Sequence, residues 1–174
     1  MVVLLYNIRS LHNVGSIFRT ADAVGVKKLY LTGITPAPTD VFGRPRQQLT
    51  KVSLGAEKYV EWDASARSAK AISKLLENLK SEGYKTFAIE QDKKAIAYYK
   101  LRTKKKEKIA LVLGGEIKGI PKSILKKADK ILEIPMQGAV VRQAHHPRKT
   151  KRGKESLNVS VAFGIVAFHL VNIK

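Results

Sequence analysis

The sequence predicts an α/β fold, a mainly parallel sheet with helices on both faces. Three observations predict it. Residues 2–6, VVLLY, form a continuous β-branched and leucine run without polar alternation, which suits a strand buried on both faces of a parallel sheet. From Asn13 or Val14 to Val24 the apolar positions Val14, Ile17, Phe18, Ala21 and Val24 fall at helical spacing, and Gly25 supplies the stop. A second strand at Lys27–Thr32 completes the order strand, loop, helix, strand, which needs a parallel pair and a right-handed crossover.

The alternation continues along the chain. The proline-rich stretch 33–55 reads as a long functional loop carrying Arg44, Arg46 and Lys51. Lys58–Trp62 reads as a short strand, and Ala64–Lys80 as an amphipathic helix with Ile72, Leu75, Leu76 and Leu79 on one face, ended by Gly83. Tyr84–Ile89 is a strand, Ala95–Leu101 a short helix, and Ile109–Leu113 the most hydrophobic strand of the set. Pro121 opens a short helix through Ala128, a good place for a proline, and Lys130–Ile134 is the last strand. The apolar run Leu157–Ile173 reads as a buried helix. Ser156, Asn158 and Ser160 stand at its start, where short polar side chains satisfy the free N–H groups of a first turn.

At 174 residues the chain is read as a single domain, 1–174. Its 33 basic and 14 acidic residues leave a formal charge of +19 spread over most of the length, which points to a polyanion partner, nucleic acid or ribonucleoprotein. The absence of cysteine excludes disulfides, thiolate metal sites and a cysteine nucleophile. MVVLLYNIRS has no basic n-region, and the C-terminal apolar run is short for a span and carries Asn158, Ser160, His169 and Asn172, so a cytoplasmic protein without membrane attachment is expected.

Ligands of such sheets collect beyond the carboxyl ends of the strands. The loops there are Asn7–Asn13, Gly114–Ile120 and Pro135 onward. No G-x-G-x-x-G follows the first strand and no Walker A lysine motif occurs, so dinucleotide and P-loop readings find no support. His145 and His146 are adjacent in a basic loop and do not converge on a metal without further ligands, so no metal is expected. What remains is Asn7, Arg9, Asn13 and Arg19 in the first region, Glu116 after Gly114 and Gly115, and Ser156 with Asn158. The composition suggests a pocket of main-chain groups and small polar side chains. Taken singly, Asn13, Ser156 and Asn158 read equally as helix caps, and Arg19 as half of a structural salt bridge with Glu116 as its partner.

Together these stretches resemble a known family. NIRSLHNVGSIFRTADAVGVKKLYLTG, LVLGGEIKGI and IPMQG with KESLNVSVAFGI look like the three motifs of the SpoU/TrmH class of RNA ribose 2′-O-methyltransferases, and SLGAEKYVEW between the first two also looks like the family. The resemblance covers nearly the whole chain in the right order. It implies a C-terminal segment threaded into a deep trefoil knot (the SPOUT fold), S-adenosyl-L-methionine bound in the knot, and a homodimer whose active site draws on both subunits. By position it implies that Leu113, Gly114, Gly115, Ile134, Pro135, Met136 and Leu157 hold the cofactor. Arg19 matches the family's catalytic arginine, and Asn13, Glu116, Ser156 and Asn158 match its polar active-site set.

The implied reaction moves a methyl group from a sulfonium to a ribose 2′-hydroxyl of tRNA or rRNA. That hydroxyl is a poor nucleophile, and sharing its proton during attack is worth ~10²- to 10⁴-fold. A guanidinium surrenders a proton with difficulty, so Arg19 is expected to bind the adjacent phosphate and orient the hydroxyl. Arg9, Arg44, Arg46 and Lys51 are expected to contact RNA phosphates.

One departure stands out. Where relatives pass almost at once from the glycine after IPM to a KESLNVS-like run, this chain carries AVVRQAHHPRKTKRG, residues 139–153. It adds Arg142, Arg148, Lys149, Lys151 and Arg152. Its entropic cost is about 2 kcal/mol, three doublings of loop length at roughly 0.6 each. The preferred expectation is that it adds phosphate contacts; the alternatives are a neutral insertion, or one that impairs the cofactor pocket and leaves a non-catalytic RNA-binding or ribosome-assembly protein.

Overall fold

A computed structural model of the chain describes residues 1–104, 107–136 and 156–172. The implied knot and the insertion at 139–153, with Arg142, Arg148, Lys149, Lys151 and Arg152, depend on residues outside that set. The strands are β1 (Val2–Tyr6), β2 (Lys28–Thr32), β3 (Glu61–Asp63), β4 (Lys85–Ile89), β5 (Ile96–Ala97), β6 (Ile109–Gly114) and β7 (Lys130–Glu133). The helices are α1 (Leu11–Ala23), α2 (Gln47–Ser53), α3 (Ala69–Ser81), α4 (Lys122–Leu125) and α5 (Val159–Asn172).

Among the described residues the strands form one sheet in the order β3-β2-β1-β6-β4-β7-β5, parallel at every pairing. The continuous apolar runs have the expected cause: each central strand is covered on both faces. On one face Val3, Leu5, Leu29, Leu31, Leu111 and Leu113 pack with Val14, Ile17 and Phe18 of α1 and with Phe163, Val166, Ala167 and Leu170 of α5. On the other, Leu4, Ala88 and Val112 meet Ile72 and Leu76 of α3 and Ile124 of α4. From β1 the chain runs outward to β2 and β3, and from β6 it continues to β7 on the opposite side. The carboxyl ends of β1 and β6 are therefore a switch point, where the loops diverge and leave a crevice.

Several boundaries differ from expectation. Helix α1 begins at Leu11, before Asn13, because Ser10 takes the extended N-cap conformation and its Oγ accepts from the Asn13 amide at 3.2 Å. Asn13 is thus inside the first turn with its side chain released for other work. Helix α3 starts at Ala69 behind a Ser68 cap. The proline-rich stretch 33–55 is not a loop throughout, since it contains α2. That helix is held by packing: Leu49 is fully buried, and a Cβ at Gly15 of α1 would sit 2.6 Å from the Leu49 carbonyl oxygen, so the two helices meet backbone to backbone. The helix expected at Ala95–Leu101 is instead β5 and one 3₁₀ turn, Tyr98–Lys100, because Ile96 and Ala97 pair with Leu132 and Glu133 of β7. Helix α5 is buried along one side only; Val161, Phe168 and Val171 are each nearly half exposed.

Candidate active site

The loop after β1 is held from its neighbour. Asn7 adopts a left-handed conformation (φ 54°), and its Oδ1 accepts from the Ile34 amide at 3.0 Å. The buried hydroxyls of Thr32 and Thr35 both donate to the Leu5 carbonyl at 3.0 Å, and Thr35 Oγ1 accepts from the Ile8 amide at 3.1 Å. The end of β1 is therefore pinned by β2 before the chain turns into α1. The loop after β6 crosses directly over it: a side chain at Gly115 would collide with the carbonyl of Asn7, and one at Gly114 with the backbone of Gly119. Only glycine permits that approach.

The crossing brings Glu116 to the start of α1. Glu116 Oε1 accepts from Asn13 Nδ2 at 2.7 Å, and Oε2 from the Arg9 amide at 3.3 Å. Asn13 Oδ1 in turn accepts from Asn158 Nδ2 at 3.0 Å. Asn158 Oδ1 accepts from the Ser160 amide at 2.9 Å and its hydroxyl at 2.7 Å, so Asn158 both caps α5 and joins the chain Glu116, Asn13, Asn158. Burial pushes the Glu116 carboxyl up, but hydrogen bonds from its own amide, from Asn13 and from the Arg9 and Ser10 amides outweigh it and hold the group below the usual glutamate range.

Behind this polar chain lies a cavity of about 790 Å³. It is lined by Leu113, Gly114, Gly115, Glu116, Ile134, Met136, Ser156, Leu157 and Asn158, which puts nearly all the sequence-predicted cofactor and polar site residues around one space. Pro135 is not in its wall. The walls join apolar side chains, among them Ile89, Leu113, Leu132 and Ile134, to the main chain of Gly114–Gly119. This is the size and chemistry of a site for a flat, partly polar small molecule. The carboxylates of Glu90, Asp92, Glu116 and Glu133 outnumber the two lysines of the wall, Lys118 and Lys122, which suits a ligand bearing positive charge. Glu90 and Asp92 were not singled out from the sequence, although their place just past the apolar run of β4 was a usable signal. Glu90 Oε2 accepts from the Ile120 amide at 2.8 Å and so braces the loop after β6.

Arg19 stands exposed on α1, outside this cavity, and among the described residues it makes no hydrogen bond or ion pair. The salt bridge with Glu116 is not formed: Glu116 lines the cavity and Arg19 lies outside it. Arg9 and Arg46 line a second cavity beside the first, while Arg44 and Lys51 are exposed. Among the described residues no group of three or more acidic or histidine side chains is placed to hold a metal, and no helix is long and apolar enough to cross a membrane.

The family model for the SpoU rRNA Methylase family matches residues 1–142. The chain is 29% identical over 168 residues to the tRNA (guanosine(18)-2′-O)-methyltransferase of Aquifex aeolicus (strain VF5), covering 97% of this chain and 67% of that one. It is 27% identical over 171 residues to the 23S rRNA (guanosine-2′-O-)-methyltransferase RlmB of Xanthomonas axonopodis pv. citri (strain 306), covering 98% of this chain and 58% of that protein. The chain thus spans three fifths to two thirds of the length of these curated relatives. The AdoMet-bound rRNA methyltransferase from Sinorhizobium meliloti has a similar structure, with a TM-score of 0.71 at 25% identity over 97% of this chain and 54% of that one.

Proposed function

Because the chain belongs to the SpoU rRNA Methylase family, we propose that it transfers a methyl group from S-adenosylmethionine to a ribose 2′-hydroxyl of tRNA or large-subunit rRNA. The observation that carries this reading is the hydrogen-bonded chain Glu116, Asn13, Asn158 at the mouth of a cavity of matching size. The names of relatives divide between tRNA and 23S rRNA, so both remain in the proposal.

The residues present fit the cofactor. Main-chain groups at Leu113–Gly115, Ile134 and Met136, with Leu157, would hold its adenosine and methionine parts, and the nearby carboxylates would favour its cationic centre. Bound there, it supplies an activated methyl group on a sulfonium. The protein's own work is positioning. Asn13, locked between Glu116 and Asn158, presents a fixed polar group at the cavity mouth. Arg19 binds the phosphate beside the target ribose through two N–H groups and orients the hydroxyl in line with the methyl.

Arg19 lies outside the cavity of its own subunit, which supports a homodimer in which each subunit supplies the arginine to its partner. The exposed stripe Val161, Phe168 and Val171 on α5 supplies an apolar surface for that contact. The basic insertion at 139–153 is assigned to RNA phosphates on the strength of its five charges.

The deciding experiment is a calorimetric titration of the folded protein with S-adenosylmethionine in the absence of RNA. Binding of one molecule per subunit is the expected result. No binding would overturn the enzymatic reading and leave an RNA-binding protein with an impaired pocket.

A further inference from the structure

The second cavity, about 720 Å³, opens between the loop after β1 and the segment 34–46. Arg9, Arg46 and Arg67 line it, against one carboxylate, Asp40. Asp40 is already engaged, since its Oδ1 accepts from the Phe42 and Arg44 amides at 2.9 Å each. Arg67 is anchored by Nη1, which donates to the carbonyls of Gly33 at 2.9 Å and Thr35 at 2.6 Å, so its other N–H groups are held in place by a fixed fork. Arg46 Nε is buried and has no hydrogen-bond partner among the described residues. Buried donors are rarely left unmet, and three guanidinium groups around a shared space suit an oxyanion. Trp62 and Val41 form part of the same wall, and Phe42, next in sequence to Val41 and 76% exposed, stands just outside it as an apolar lip. Arg44 lies over the Phe42 ring, 5.4 Å from its centre.

Aromatic and guanidinium groups side by side are the chemistry of single-stranded nucleic acid, in which phosphates take the cations and bases stack on the rings. The position of this cavity adds direction. Arg9 lines it, and the amide of the same residue donates to Glu116 in the wall of the first cavity.

Resting on the methyltransferase reading above, we propose that this second cavity is the subsite for the unpaired RNA nucleotide next to the one methylated. Its phosphate is held by Arg46 and Arg67 and its base rests on the lip at Phe42. The nucleotide bound there sets how far the target ribose reaches toward Asn13 and Glu116. Arg46 and Phe42 are thus substrate-binding residues of a basic and aromatic groove, separate from the cofactor pocket.

The test uses Arg46→Gln and Phe42→Ala, two side chains that make no hydrogen bond or ion pair among the described residues. Binding of bulk deacylated tRNA and of a single-stranded oligouridylate is measured by fluorescence anisotropy across a salt series, beside calorimetric binding of S-adenosylmethionine. Each variant is expected to weaken both RNAs about tenfold. Arg46→Gln should also lower the salt slope by about 0.7, and cofactor affinity should not change. Wild-type RNA affinity and slope in both variants would overturn the inference, as would failure of the wild-type protein to bind either RNA. Failure of the wild type to bind the cofactor while the variants still lose RNA would overturn the enzymatic reading, and with it the place of this groove beside a methylated nucleotide, and would leave the groove as an RNA-binding site.

Discussion

Asn13 donates to Glu116, 103 positions further along the chain, at 2.7 Å, and the same asparagine accepts from Asn158. One side chain therefore ties the loop after β6 and the start of α5 to the first turn of α1. Its removal should loosen three elements at once. Asn13→Ala is expected to reduce methyl transfer by ~10²-fold, because the polar group at the cavity mouth loses its fixed position, while S-adenosylmethionine binding weakens much less. Separate measurement of the two quantities checks this.

The carboxyl of Glu116 lies below its ordinary value, so its contribution to stability has a definite sign. A depressed folded pKa stabilises above the unfolded value, about 4.3, and that stability is lost as pH falls through the lower folded value. Wild type should therefore be more stable than Glu116→Gln at neutral pH, by less than about 1 kcal/mol given the solvent exposure of the group, and the gap should close below pH 4. Urea unfolding of both proteins between about pH 3 and 7 reads the difference.

Arg19 is exposed and makes no hydrogen bond or ion pair among the described residues. Arg19→Lys should leave unfolding free energy within about 0.5 kcal/mol of wild type. Turnover should still fall by roughly 10²-fold, since an ammonium cannot reproduce two parallel N–H contacts to a phosphate. Near-normal turnover in this variant would remove the bidentate role.

Glycines at two crossings separate stability from binding. Gly15→Ala forces α1 away from α2 and should cost about 1–3 kcal/mol while leaving cofactor affinity unchanged. Gly115→Ala pushes the loop after β6 off the Asn7 carbonyl and should weaken cofactor binding by at least about tenfold. Calorimetry and urea unfolding on the same two proteins distinguish them.

Phe168 sits on the exposed side of α5 with Val161 and Val171. Phe168→Asp should yield a folded monomer in sedimentation, with methyl transfer lost and the helical circular dichroism kept. A dimer that survives this change would place the subunit contact elsewhere.

The sheet was legible because its strands are apolar on both faces: VVLLY and IALVL allow few other fates in a chain of this length. Two of the short elements were not. Helix α2 depends on Leu49 docking beside a bare Gly15, and β5 on an edge pairing with Leu132 and Glu133, neither of which leaves a local period. Within the candidate site, the glycines and small polar residues pointed to loops that line the cavity, and the family resemblance grouped them. The Arg9 amide was invisible, since a main-chain donor carries no sequence label. Glu90 was overlooked because a lone carboxylate after a strand reads as surface.

The position of β6 has a consequence for how the protein is made. Val2–Tyr6 leaves the ribosome about a hundred residues before one of its two neighbours, Ile109–Gly114. Until then the nascent chain displays an open, strongly apolar strand edge, the kind of surface on which chains adhere to one another. Production should therefore be limited by chaperone supply and growth temperature more than by the stability of the finished molecule.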